Sequence, residues 1–147
     1  MPVAHKVKRM NITLNRKNDA VHFEGVAASS DIRVSIDGSP AIGGQALGVR
    51  PMELVLMALG SCSALDLLSI LKKQRQVVED VQIEVSGTRT DQIPSVFTKI
   101  HIQFQLKGTI DPGKAEKAAE LAVKKYCSVH DMLSAGGVEI SYQVELV

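Results

Sequence analysis

Hydrophobic and polar residues alternate with period two in most of the chain, and this alternation predicts the strands. From His5 to Asp37 the segments "KVKRMNITL", "AVHFEGV" and "DIRVSID" carry Val7, Ile12 and Leu14, then Val21 and Phe23, then Ile32, Val34 and Ile36. These read as three antiparallel strands, turned first at "NRKND" and ended at Gly38-Ser39-Pro40. Further on, "DVQIEVSGTRT" and "VFTKIHIQFQLKG" alternate cleanly, with Val81, Ile83 and Val85 on one strand and Ile100, Ile102, Phe104 and Leu106 on the next. "VEISYQVELV" closes the chain as a sixth strand.

Between these strand groups the period changes. Pro51 suits a first helical position, where its missing N–H costs nothing, and Lys72, Lys73 and Arg75 suit the negative end of a helix dipole. A helix from Pro51 to about Arg75 is therefore predicted. Residues 54–65 carry no charge, which is too short to span a bilayer, and the leucines from Leu54 to Leu71 are spread around the whole wheel. Such a helix needs protein on all sides. Asp111 and Pro112 open a second helix, "GKAEKAAELAVKKY", with Ala115, Ala118, Ala119, Ala122 and Tyr126 as its apolar stripe. "CSVHDMLSAGG" restarts as a short helix stopped by Gly136 and Gly137. The order of elements gives one α+β domain, residues 1–147, of six strands and three helices.

Composition narrows the functions. The 147 residues hold 17 basic and 16 acidic side chains and 3% aromatics, so neither a nucleic-acid footprint nor a base-stacking surface is expected. The N-terminal "MPVAHKVKRMNITL" lacks an apolar stretch of signal-peptide length, and a cytoplasmic location away from membranes is expected. The glycine-rich "AIGGQALGV" lacks the lysine and hydroxyl of a phosphate-binding loop.

Two cysteines remain, Cys62 within the apolar helix and Cys127 before the short one. A free cysteine is often just a buried hydrophobe, whereas Cys127 sits where the amides of a new helix would stabilise a thiolate. Mid-helix amides are already bonded and Asp66 stands four residues after Cys62, so activating Cys62 requires a cation from elsewhere. His130, three residues after Cys127, shares its helical face and is a candidate base or ion-pair partner. A zinc site of Cys62, Cys127 and His130 would need His5, His22 or His101 as a fourth ligand and is set aside.

The segments "RPMELVLMALGSCSALDLL" and "KYCSVHDML" resemble the OsmC/Ohr family of thiol-dependent hydroperoxide reductases. The proline eleven residues before the first cysteine, the Glu-Leu after it and the second cysteine opening a short helix carry the likeness, and the element order extends it over the chain. The resemblance implies antiparallel sheets wrapped around a central buried helix in an intertwined homodimer. It implies Cys62 as the nucleophile toward an organic hydroperoxide, Cys127 as the resolving thiol, and a dithiol reductant such as a lipoylated protein or thioredoxin; no metal or cofactor is expected.

The chain departs from the family at one place. The acid that directly follows the proline and orients an arginine over the thiol is here Met52, and Glu53, nine residues before Cys62, falls on the opposite helix face. For the arginine itself the candidates are Arg16 in the first hairpin and Arg50 before the helix, and Asp66 is a candidate to hold it. Two other readings stay open: a binder of a small hydrophobic ligand in a dimer cavity lined by Met52, Leu59 and Met132, and a thiol redox switch without turnover.

Overall fold

The computed structural model describes residues 7–147, so the start of the first predicted strand at His5 and Lys6, and His5 as a zinc candidate, lie outside the described residues. All six strands and three helices are present: β1 Ile12–Arg16, β2 Phe23–Ala27, β3 Arg33–Ile36, α1 Pro51–Lys73, β4 Val77–Arg89, β5 Phe97–Thr109, α2 Pro112–Glu120, α3 Ser128–Ala135 and β6 Glu139–Leu146. By contacts the chain forms two units, one ending at Leu54 in the first turn of α1 and one from Val55 to Val147.

In the first unit β1, β2 and β3 form an antiparallel meander in which Leu14 pairs with Gly25 and Gly25 with Val34. One face of it lines an open apolar cavity of about 310 Å³, with Ile12, Leu14 and Val34 left exposed. The glycine-rich loop that follows is tied to Asp37, whose buried carboxylate accepts the amides of Gly38, Gln45 and Leu47 at 2.8, 2.9 and 3.1 Å. Its glycines serve close packing: a Cβ on Gly48 would fall 2.4 Å from the Ser35 carbonyl.

The amide of Gln45, then those of Leu47 and Gly38, hold the Asp37 carboxyl below the usual aspartate value against the opposing effect of burial. A lowered folded pKa stabilises the fold above the unfolded value of about 3.9, and the contribution is lost as pH falls through the folded value. Asp37→Asn is expected to lower the urea midpoint at pH 7, with the gap to wild type closing as the acid limit is approached.

The second unit is built on β5. Its residues Ile100, Ile102, Phe104 and Leu106 are all buried on one face, Phe104 lying between Ile83 of β4 and Val144 of β6. The expected antiparallel pairing holds for β4 with β5, whereas β6 runs parallel to β5. Parallel neighbours need a long crossover, and the helical segment between Ile110 and Val138 supplies it.

Helix α1 presents Leu59, Gly60, Ser63, Leu67 and Leu71 inward, and Gly60 allows close approach to Val85 of β4. By length and composition alone this helix would pass for a membrane span. Burial on all sides is not reached within one chain, for Met57, Leu65 and Leu68 remain exposed. The helix ends with Arg75 at φ 60°, its amide on Lys72 O and that of Gln76 on Leu71 O, the paired bonds of a left-handed C-cap.

Candidate functional site

Three local devices place the two thiols. At the start of α1, Glu53 accepts the Arg50 amide at 2.9 Å, half of a capping box, so this acid is spent on the helix end rather than on the thiol. Eleven residues after Pro51, Cys62 emerges half-buried in mid-helix. The second predicted helix is regular only to Glu120, after which Leu121–Tyr126 forms a π-helical turn. This wider turn delivers Cys127, 1% exposed, to the N-cap of α3, where its sulfur accepts the His130 amide at 3.3 Å.

The fold brings Cys62 and Cys127 together. Burial pushes the Cys127 thiol above its ordinary value of 9.0, the Ser63 hydroxyl and the His130 amide pull it back, and the neighbouring Cys62 thiol raises it again. Ser63 Oγ, fully buried, makes no well-formed hydrogen bond, yet it is near enough to favour the Cys127 thiolate. The helix N-terminus acts on Cys127 as the sequence leads one to expect, but burial outweighs it. Cys62 is therefore the less buried of the two cysteines, and Cys127 lies beside it with its thiol raised by burial.

That order has a pH consequence. Forming a disulfide requires Cys127 as a thiolate, and its raised pKa means the ionised fraction still climbs at pH 9.0. After oxidation of Cys62, the closing of the disulfide is expected to accelerate with pH through that value, as rapid-quench thiol counting from pH 7 to 10 would record. A plateau near pH 7 would contradict the burial argument.

The remaining candidates lie as follows. The guanidinium of Arg16 closes its own hairpin turn, with Nε donating to Ala20 O at 2.9 Å and Nη2 donating to Asp19 O. Arg50 is exposed, with its amide on Glu53. Asp66 was expected to hold an arginine, but it has no cationic partner within its own unit; its half-buried side chain borders a cavity with Ser69, Ile70, Lys73, Gln74, Leu121 and Tyr126.

His130 turns its ring to Asp131, with Nδ1 3.3 Å from Oδ1, so its amide and not its imidazole serves Cys127. Leu59 is fully enclosed and Met132 is 76% exposed, so these two expected cavity-lining residues occupy different environments; Met52 is half-buried at the start of α1. His22 is 3.5 Å from Ser35 Oγ and His101 is 2.7 Å from Ser141 Oγ. The residue of the site that sequence reasoning missed is Ser63. Ser63, beside Cys62, was hidden because a serine in an apolar helix has no distinctive spacing.

Residues 43–143, which include both cysteines, match the family model described as OsmC-like protein. The chain belongs to the OsmC family. Protein YhfA of Escherichia coli (strain K12) is 41% identical over 98 residues, which cover 66% of this chain and 72% of that protein. A hypothetical protein from Aquifex aeolicus VF5 superimposes with a TM-score of 0.79 at 30% identity, covering 96% of this chain and 99% of that one. An organic hydroperoxide resistance protein from Elizabethkingia anophelis shares the fold, with a TM-score of 0.72 at 12% identity over 97% and 99% of the two chains.

Proposed function

We propose that this protein is a thiol-dependent peroxidase that reduces organic hydroperoxides, with a stress-related redox role in the cytoplasm. The observation that carries the reading is the pairing of a half-buried Cys62 with a buried Cys127 capped by the His130 amide. The hydroperoxide resistance protein among its structural neighbours supports the substrate class.

In the reaction the Cys62 thiolate attacks the terminal peroxide oxygen. An S–O bond forms, the O–O bond breaks, and the alkoxide takes a proton and leaves as alcohol. Cys62 is now a sulfenic acid. The Cys127 thiolate attacks that sulfur, hydroxide leaves as water after gaining a proton, and a disulfide remains. A dithiol protein, lipoylated or of the thioredoxin kind, reduces it.

A homodimer belongs to the proposal. Met57, Leu65 and Leu68 on α1 and Ile12, Leu14 and Val34 on the first sheet leave apolar surface that a second copy would cover. The dimer would also be the source of a cation for Cys62, since Arg16 is bonded into its own turn and Met52 replaces the orienting acid.

Titrating reduced protein with cumene hydroperoxide and with hydrogen peroxide tests the activity. Two thiols lost per chain, one cumyl alcohol formed per disulfide and a faster reaction with the organic peroxide are expected. The bonding of Arg16 favours a second reading, a disulfide switch without turnover. Repeated alcohol formation in the presence of a dithiol reductant separates the enzyme from the switch.

A further inference from the structure

Cys62, Asp66, Ser69, Ile70 and Lys73 recur at spacings of three and four along α1 and so form one stripe of the helix. Beyond Cys62 this stripe becomes one wall of a cavity of about 350 Å³. The other wall is Leu121 and Tyr126, the two ends of the π-helical turn. The volume falls within the range of small-molecule sites, roughly 300–1,000 Å³.

The charges of this cavity are unusual. Asp66 and Lys73 both border it, two helical turns apart, and neither has an ion-pair partner within the second unit. Helical side chains lean toward the N-terminus, which tilts the Lys73 ammonium toward the Asp66 end. An anion and a cation that border one space and are not spent on each other select a ligand carrying both charges. Ser69, Tyr126 and Gln74 add neutral hydrogen-bonding groups, and the Oε1 of Gln74 is buried without a partner. Ile70 and Leu121 add apolar contact. Asp66 is one turn from Cys62, about 6 Å along the helix axis.

We propose that this cavity binds a low-molecular-weight thiol with an α-amino acid head group, its ammonium on Asp66, its carboxylate toward Lys73 and its sulfur toward Cys62. The inference rests on the peroxidase reading and gives the oxidised site a small-molecule reductant alongside a protein one. The bound thiolate attacks the Cys62 sulfur of the disulfide, the S–S bond breaks, and Cys127 leaves as a thiolate and takes a proton. A second thiol attacks the ligand sulfur of the mixed disulfide, releasing Cys62 as a thiol and the ligand as its symmetric disulfide.

S-methyl-L-cysteine, which cannot exchange with disulfides, is the probe, titrated into the reduced protein and followed by NMR. Saturable binding is expected, weakened roughly tenfold by Asp66→Asn and by Lys73→Met, the loss of one charge-assisted contact each. 2-(Methylthio)ethylamine should be sensitive only to Asp66→Asn, and 3-(methylthio)propanoate only to Lys73→Met. With L-cysteine as reductant, Asp66→Asn should slow reduction of the disulfide by a similar factor. Absence of S-methylcysteine binding, or binding that both variants leave unchanged in proteins folded by circular dichroism, overturns the proposal. The probe has no free thiol, so the outcomes separate: binding with both charge dependences but an unoxidisable Cys62 would uphold the zwitterion site while removing the peroxidase reading.

Discussion

Cys62→Ser is expected to lower the rate of cumene hydroperoxide consumption at least about 100-fold and to leave Cys127 reduced after peroxide treatment. The expectation follows from how the two sulfurs are placed. Cys62 is half-buried, whereas Cys127 is 1% exposed and burial raises the pKa of its thiol. A serine hydroxyl cannot take over, because it is a far weaker nucleophile than a thiolate near neutral pH. Without an oxidised Cys62, the buried Cys127 has no sulfenic acid to attack. Peroxide assays and free-thiol counts on the variant read both parts. The reverse substitution, Cys127→Ser, differs in kind, since it should permit the first oxidation and block the disulfide.

The largest effect on stability is expected from Phe104→Ala, a loss of about 3–5 kcal/mol measured by urea unfolding. Phe104 is fully buried at the centre of β5, with Ile83 and Val144 as its register partners on the two neighbouring strands. Among the described residues it is also the largest fully buried side chain. Removing its ring leaves a cavity that flanking strands, hydrogen-bonded on both sides of β5, cannot readily close. By contrast, Phe23 on the first sheet is 36% exposed, and its replacement should cost far less.

Much of this architecture is legible in the residues because alternation and caps are local signals. Val81, Ile83 and Val85 announce β4, and Asp111 caps α2 by accepting the Lys114 amide at 3.0 Å. The parallel direction of β6 is not local: it depends on where the helical segment returns the chain, and "VEISYQVELV" reads the same in either sense. The π-helical turn at Leu121–Tyr126 likewise leaves no mark in "LAVKKY", whose residues suit an ordinary α-helix.

At the site, the resemblance marks both cysteines, and the structure adds their approach, which joins two thiols 65 residues apart in sequence. The arginine was the least legible part. Arg16 lies in the expected hairpin, yet its guanidinium is taken up by the carbonyls of Ala20 and Asp19, a use that a turn sequence such as "NRKND" conceals. Asp66 shows the opposite case. A carboxylate in an apolar helix is costly unless it is paired or solvated, and Asp66 borders a cavity that Lys73 also borders, with no arginine among the lining residues.

The central claim is that Cys62 and Cys127 form one redox site, and mass spectrometry of the reduced protein after one equivalent of cumene hydroperoxide tests it most directly. The account predicts a loss of two hydrogens per chain and a single linked peptide pair containing Cys62 and Cys127, formed within the time in which the peroxide disappears. Oxidation confined to Cys62 without the link, or thiols that survive at the rate of free cysteine in solution, would contradict it.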